Sequence, residues 1–159
     1  MDKPKPIKRS NEIAPLSRDH HEGLLLGWKI KKGIANGTTV AAITDYVKWF
    51  WEHHLLKHFK QEETVLIEHV PAQNKHVQQM FDEHRVIADK ISELEKQPNQ
   101  QLLLEFATLL EAHIRFEERV LFNEIEQILT PEQLRFVGEH LNKDEKAKAV
   151  WEDEFWVKK

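Results

Sequence analysis

The sequence predicts an all-α protein: an up-down-up-down four-helix bundle followed by a short C-terminal fifth helix. Apolar residues recur at three- and four-residue spacings through four long stretches, the pattern of helices that each turn one face to a core. Five Gly and six Pro are few for 159 residues, and long stretches hold neither, which disfavours a strand-and-turn fold. The breaks between stretches are short, and short connections between long helices give antiparallel neighbours.

Residues 1–11 read as an extended, basic and solvated tail. A first helix is expected from about Pro15 to Ile34, capped by Ser17 or a neighbour and stopped at Gly33 or Asn36-Gly37. Its apolar stripe takes in Ile13, Leu16, Leu24, Gly27 and Ile34 and includes His20, whereas His21 shares a more polar stripe with Ser17 and Lys32. Gly23 and Gly27 suggest a close helix approach beside His20. The second helix starts near residues 38–44 and runs to about His69, with Val47, Phe50, Trp51, His54, His58, Glu62 and Leu66 (or Val65) along one face. The third spans about Ala72 to Lys96, aligning Val77, Met80, His84, Ile87, Ile91 and Leu94, and Pro98-Asn99 breaks it. The fourth, about Gln100 to Leu129, carries Leu102, Phe106, Leu109, His113, Glu117, Val120 and Glu124 on one stripe.

Thr130-Pro131-Glu132-Gln133 is a helix restart: Thr as cap, Pro in the first turn, Gln closing a capping box. Leu134, Val137 and Leu141 then face inward. The chain divides into the tail (1–11), the bundle (12–130) and a helical extension (131–159). In the extension, Lys143 to Lys148 reads as a solvated helix end, and His140 with Asp144 as a surface pair. Trp151, Phe155 and Trp156 form an apolar group at helical spacing. It can dock on its own bundle or join a second chain in a homodimer, and self-docking is the favoured reading.

Composition excludes several classes of function. The net charge of −4 gives no electrostatic case for nucleic-acid binding. With no Cys there is no disulfide, zinc–thiolate site, iron–sulfur cluster or thiol catalysis. No segment approaches the run of about 20 apolar residues that spans a bilayer, so no membrane role is expected. The N-terminus lacks the apolar stretch of a secretory signal, and a cytoplasmic location is expected. A transition metal would have to use the ten His together with carboxylates.

That combination occurs twice. His58-Phe59-Lys60-Gln61-Glu62-Glu63 returns as His113-Ile114-Arg115-Phe116-Glu117-Glu118. Residues four apart share a helix face, so each copy sets an imidazole beside a carboxylate. With His20 and His84, every long helix has a His on its core face. One core His alone is more often hydrogen-bonded packing than a ligand, and the two Glu could lie on a boundary face and reach solvent. Buried and unpaired, however, Glu62 and Glu117 would each cost several kcal/mol, a penalty that a bound cation removes. No His has an acid three residues before it, so the Glu-x-x-His order of ferritin-like di-iron bundles is missing.

Arg18-Asp19-His20, His58-Phe59-x-x-Glu62-Glu63, Glu83-His84 and His113-Ile114-x-x-Glu117-Glu118, in that order, resemble the hemerythrin-like (HHE) cation-binding family over roughly residues 13–130. The resemblance implies a four-helix bundle around a non-haem di-iron centre, with two iron ions per chain and a small diatomic ligand or peroxide as partner. It makes His20, His58, His84 and His113 terminal metal ligands and Glu62 and Glu117 bridges. Zinc or manganese can take the place of iron where more available. Oxygen-carrying hemerythrins have a further His one turn before the third-helix His, where this chain has Met80. They also place the last acid five residues after its His, and here both Glu117 and Glu118 are offered. His54 and His21 are the spare imidazoles. The implied function is binding of, or reaction with, oxygen or a related small oxidant. The alternatives are an iron- or oxygen-responsive sensor or metal-storage module without turnover, and a redox enzyme that handles peroxide or nitric oxide. The hemerythrin-like repair proteins usually carry a Cys-containing N-terminal segment, and the absence of Cys from this sequence disfavours that version.

Overall fold

The computed structural model of the chain describes residues 9–143 and 150–157. Its elements are all helical among the described residues: α1 (Ala14–Ala35), α2 (residues 40–66), α3 (Lys75–Lys96), α4 (residues 100–128) and α5 (Pro131–Lys143). No helix among these residues is long and apolar enough to cross a membrane. The helix starts follow from local chemistry. Thr39, Asn74 and Asn99 each turn a side-chain oxygen to backbone N–H groups that the first turn of a helix leaves without partners. The expected capping box closes both ways, with Thr130 N donating to Gln133 Oε1 at 3.0 Å and Gln133 N donating to Thr130 Oγ1 at 3.2 Å. The cap expected at Ser17 is not there: α1 begins at Ala14 with Pro15 in its first turn, and Ser17 lies inside the helix.

The helices pack in a ring, α1 on α2, α2 on α3, α3 on α4 and α4 on α1. Their buried apolar residues form two clusters. One holds Leu26, Ile30, Val47, Phe59, Ile87 and Phe106; the other holds Leu16, Leu66, Met80, Phe122, Ile125 and Val137. On each long helix the chain passes from one cluster to the other, and it does so in alternate directions on α1, α2, α3 and α4. That alternation is what an up-down-up-down bundle requires, and α5 closes the second cluster with Val137 and Leu141.

α2 and α4 are not regular throughout. Residues 51–55, 62–66 and 117–121 are π-helical turns, each inserting one residue into the α-helical count. These insertions correct two predicted stripes. On α2 the buried series is Phe50, Leu55, Phe59, Glu62 and Leu66, so Leu55 replaces the expected His54. On α4 the series beyond Glu117 runs through Leu121 and Ile125, whereas Val120 is exposed. α1 differs for a simpler reason. Leu26 and Ile30 are buried and Leu24 is exposed, so its stripe lies one strip further round than predicted while keeping His20. The α3 stripe is as expected, from Val77 to Leu94.

The two ends of the chain both return to the bundle. Arg9 and Ser10 dock on α4, so this part of the expected tail is bound to the protein, while residues 1–8 lie outside the described residues. Residues 150–157 are not helical. Phe155 lies over Gly33, where a Cβ would come within 2.6 Å of its ring, and Asn36 Nδ2 donates to the carbonyls of Phe155 and Trp156. Tyr46 on α2 packs against the rings of Trp151, Phe155 and Trp156, which is the self-docking expected of this segment. The charged run at 143–148 and Asp144 fall almost wholly outside the described residues.

Candidate metal centre

Between the two apolar clusters lies a polar layer. His20 on α1, His58 and Glu62 on α2, His84 on α3, and His113 and Glu117 on α4 all meet there, and both Glu are fully buried. All six residues singled out in the sequence are therefore in one place. Glu62 and Glu117 each open a π turn, so the backbone departs from α-geometry at the residue that points to the centre. Gly23, on α1 beside His20, lets this helix come close to α4: a Cβ there would lie 2.7 Å from Ile114 Cδ1.

The four imidazoles turn Nε2 inward. His20 Nε2 lies 2.8 Å from Glu117 Oε1 and 3.6 Å from Glu62 Oε2. His84 Nε2 lies 3.1 Å from Glu62 Oε1 and 3.7 Å from Glu117 Oε2. His58 Nε2 is 3.3 Å from Glu62 Oε1, and His113 Nε2 is 3.0 Å from Glu117 Oε1. Several of these are close approaches without a hydrogen bond. His58 Nε2, His113 Nε2, Glu62 Oε2 and Glu117 Oε2 are buried and have no hydrogen-bond partner. Buried polar atoms without partners are costly. Donors about 2.1 Å from one ion stand roughly 3.0–3.4 Å from each other, close to the spacing seen. The donor atoms form two overlapping groups, His20, His58, Glu62 and Glu117, and Glu62, His84, His113 and Glu117. Within each group they lie within 4.8 Å of one another. The residues present thus fit two cations that share two carboxylates.

The outer nitrogens are fixed in a cycle. His58 Nδ1 donates to Asp19 Oδ2 at 3.1 Å, His84 Nδ1 to Glu63 Oε2 at 2.6 Å, His113 Nδ1 to Glu83 Oε1 at 2.7 Å, and His20 Nδ1 to Glu118 Oε1 at 2.8 Å. Each helix thereby supplies the acid that orients the His of the next: α1 for α2, α2 for α3, α3 for α4, and α4 for α1. An ionised carboxylate only accepts, so the proton sits on Nδ1 and the Nε2 lone pair is left for a cation. These four acids are 23–33% exposed, at the border between layer and solvent.

Electrostatics state the same need. Burial alone would lower the His58 imidazole, but the Glu62 charge and the Asp19 bond prevail and raise it to about 9. Burial likewise opposes the charge of His84, yet the neighbouring carboxylates of Glu117, Glu62 and Glu63 raise it to about 11. Burial and the charge of Glu62 push the Glu117 carboxyl up, and His113 and His20 outweigh them and hold it at about 2. Without metal, protons on the imidazoles balance the two buried carboxylates. With metal, cations take over that role.

The sequence reads Glu63 and Glu118 as acids that either support the ligands from outside the centre or lie on the surface, and the structure gives them the supporting place; Asp19 and Glu83 figure in that reading only as neighbours of His20 and His84. The signal for all four was adjacency: each stands directly before a core-face His or directly after a core-face Glu. Glu117, not Glu118, faces the centre. The spare imidazoles are elsewhere, His21 exposed and His54 against the rings of Trp49 and Phe50. Met80 is fully buried in the second apolar cluster. A cleft of about 490 Å³ between α2 and α3, lined by Leu56, Phe59, Glu63, Phe81 and His84, leads from the surface to the His84 side.

A four-helix bundle with a middle layer of imidazoles around two shared carboxylates is the architecture of a cation-binding helical domain. The Hemerythrin HHE cation binding domain matches residues 31–125, and the chain belongs to that family. The match covers His58, Glu62, His84, His113 and Glu117. His20 lies before it and joins the layer through the fold. No curated protein and no solved structure matches the chain.

Proposed function

We propose that the layer holds two non-haem iron ions, one between His20 and His58 and one between His84 and His113, with Glu62 and Glu117 shared. The protein binds, or reacts with, oxygen or a related small oxidant there. The observation that carries this reading is the pair of four-residue donor groups overlapping at two fully buried carboxylates. A carboxylate has two oxygens and can serve two ions at the about 3.5–4 Å separation of two-metal sites. Iron bound in such a layer supplies electrons and open positions for a small ligand. The chain's own part is to present imidazoles in one tautomer, hold the shared carboxylates ionised and keep bulk water out with apolar clusters on both sides. Nitrogen and oxygen donors of this kind also accept zinc or manganese.

One observation favours reaction over reversible carriage. Met80, one turn before His84, is packed among apolar side chains, so each ion has two imidazoles and the shared carboxylates as its protein ligands. The test is metal content and absorption of the purified protein with and without oxygen. Two irons per chain and an oxygen-dependent band are expected. Reversal on removing oxygen means carriage, oxidation with peroxide turnover means an enzyme, and a Tm that rises with iron without turnover means a sensor or store. No transition metal in the protein, or unchanged metal content in His58→Ala and Glu62→Ala, would sink the site.

A further inference from the structure

We propose that Arg9 is a positioning residue for His20, and that ion binding between His20 and His58 and docking of the N-terminal segment at Arg9 stabilise each other. The inference rests on the reading that the layer binds ions. Arg9 stands outside the matched family region, in a stretch the sequence marks only as basic. Its side chain is nevertheless just 7% exposed.

The guanidinium spreads its donors over α4. Nη2 donates to the Glu118 carbonyl at 2.6 Å and to Glu118 Oε2 at 3.0 Å, while Nη1 donates to Asn123 Oδ1 at 3.1 Å and to Glu126 Oε1. Ser10 N adds a bond to Glu126 Oε2 at 2.7 Å. The Arg9 guanidinium carbon also lies 5.4 Å from the centre of the Phe122 ring.

Two of these partners hold His20 from their other sides. Glu118 Oε1, the carboxylate oxygen Arg9 leaves alone, accepts from His20 Nδ1 at 2.8 Å. The Phe122 ring stacks on the imidazole, with centroids 5.0 Å apart and 14° between planes. The π turn explains why an outside donor fits here. Phe122 N, which an α-helix would direct to the Glu118 carbonyl, reaches the Glu117 carbonyl instead, and Arg9 donates to Glu118. Arg9 thus fixes the acid and the ring that aim His20 Nε2 at the ion.

Coupling of this kind is reciprocal. The factor by which docked Arg9 tightens ion binding must equal the factor by which the ion favours docking. Both sides can be read on the full-length chain, using cobalt(II) alone as the probe. Its titration into metal-free protein, followed by the cobalt absorption bands, reads affinity. Trypsin cleavage after Arg9, followed by mass spectrometry, reads release, because the protease must take the Arg9 side chain into its own pocket.

Arg9→Ala is expected to weaken one of the two cobalt steps by on the order of tenfold, the scale of losing an outer partner of a ligand, and to leave the other step unchanged. The unchanged step shows that the variant is folded. Glu126→Gln touches nothing in the layer and should weaken the same step by less. Arg9→Lys, which keeps a cation but loses the fork, should fall between Arg9→Ala and the natural chain. Cobalt should slow cleavage after Arg9 by the factor that Arg9→Ala costs in affinity. Equal cobalt binding in Arg9→Ala, Glu126→Gln and the natural chain would overturn the inference, and so would protection by cobalt without any change in affinity. A natural chain that binds no cobalt would sink the metal reading itself, a different result from two intact steps that ignore Arg9.

Discussion

The two copies of the His-x-x-x-Glu-Glu motif share their His and both Glu and are placed in different surroundings. Both lie across the polar layer, both open a π turn at their first Glu, and both send their second Glu to the imidazole of the next helix round the ring. Around the second copy, Arg9 is bound to Glu118, and Phe122 covers His20. Around the first, Glu63 faces the open cleft between α2 and α3. The repeated motif specifies the donors. What lies outside it decides how each half of the layer meets solvent and the rest of the chain. One half is closed by the N-terminal segment, and the other faces a way in.

The largest expected effect tests what the copies share. With free metal about a hundred times the Kd, each ion adds about 2.7 kcal/mol. At about 2–4 °C per kcal/mol for a chain of this size, two ions raise Tm by roughly 10–20 °C over the chelated protein. Glu62→Ala and Glu117→Ala should each remove both ions and the whole of that rise, because each carboxylate serves both donor groups. His58→Ala removes a ligand of one ion and should leave one metal per chain. Metal analysis and thermal unfolding in parallel decide it. If Glu62→Ala retained one ion and lost half the rise, the copies would be separate sites and not one shared centre.

Next in size comes the contrast between the outer acids. Glu63→Gln and Glu118→Gln each replace an ionised acceptor with an amide and should weaken metal binding by about 10- to 100-fold, measured by competition with a chelator. Glu118→Gln should be the more severe, because it also leaves the largely buried Arg9 guanidinium without that carboxylate. Equal losses would mean that the N-terminal segment adds nothing to its half of the layer.

Much of this was legible in the sequence, for definite reasons. His20, His58, His84 and His113 sit on helix faces that also carry the large apolar residues, so a period count finds them. Thr130 to Gln133 announce their own capping box. What escaped depends on backbone irregularity and on distant partners. A 3.6-residue count runs through a π turn without registering it, which put His54 on the α2 stripe in place of Leu55 and Val120 on the α4 stripe in place of Leu121. The cycle of outer acids joins residues up to 98 positions apart, as in His20 and Glu118, and no local pattern announces such a pair. Arg9 escaped for the same reason: nothing near it in sequence marks a cation that is buried against a helix more than a hundred residues away.

The smallest effect concerns protons, and it separates the metal-free layer from the loaded one. In the metal-free chain the His58 imidazole is raised to about 9 from an ordinary value near 6.5, burial being outweighed by the charge of Glu62 and the bond to Asp19. A group whose folded pKa lies above its unfolded value contributes its stabilisation in full below the unfolded pKa and loses it as pH rises through the folded one. Metal-free protein should therefore lose several degrees of Tm between about pH 6.5 and 9, as the proton that balances Glu62 becomes harder to keep. Loaded protein should show no such slope there, because coordinated imidazoles carry no proton on Nε2 for rising pH to remove. Below about pH 6 it is the loaded protein that loses Tm, since protons compete with metal for the same nitrogens and the rise from metal shrinks. His58→Gln in the metal-free state should reduce the slope between about pH 6.5 and 9 without abolishing it, because the His84 imidazole, raised to about 11, contributes over the same range. An unchanged slope in that variant would place the titrating group outside the first copy, and the Nε2 signal of His58, followed against pH by nuclear magnetic resonance, would show directly whether that copy holds the proton.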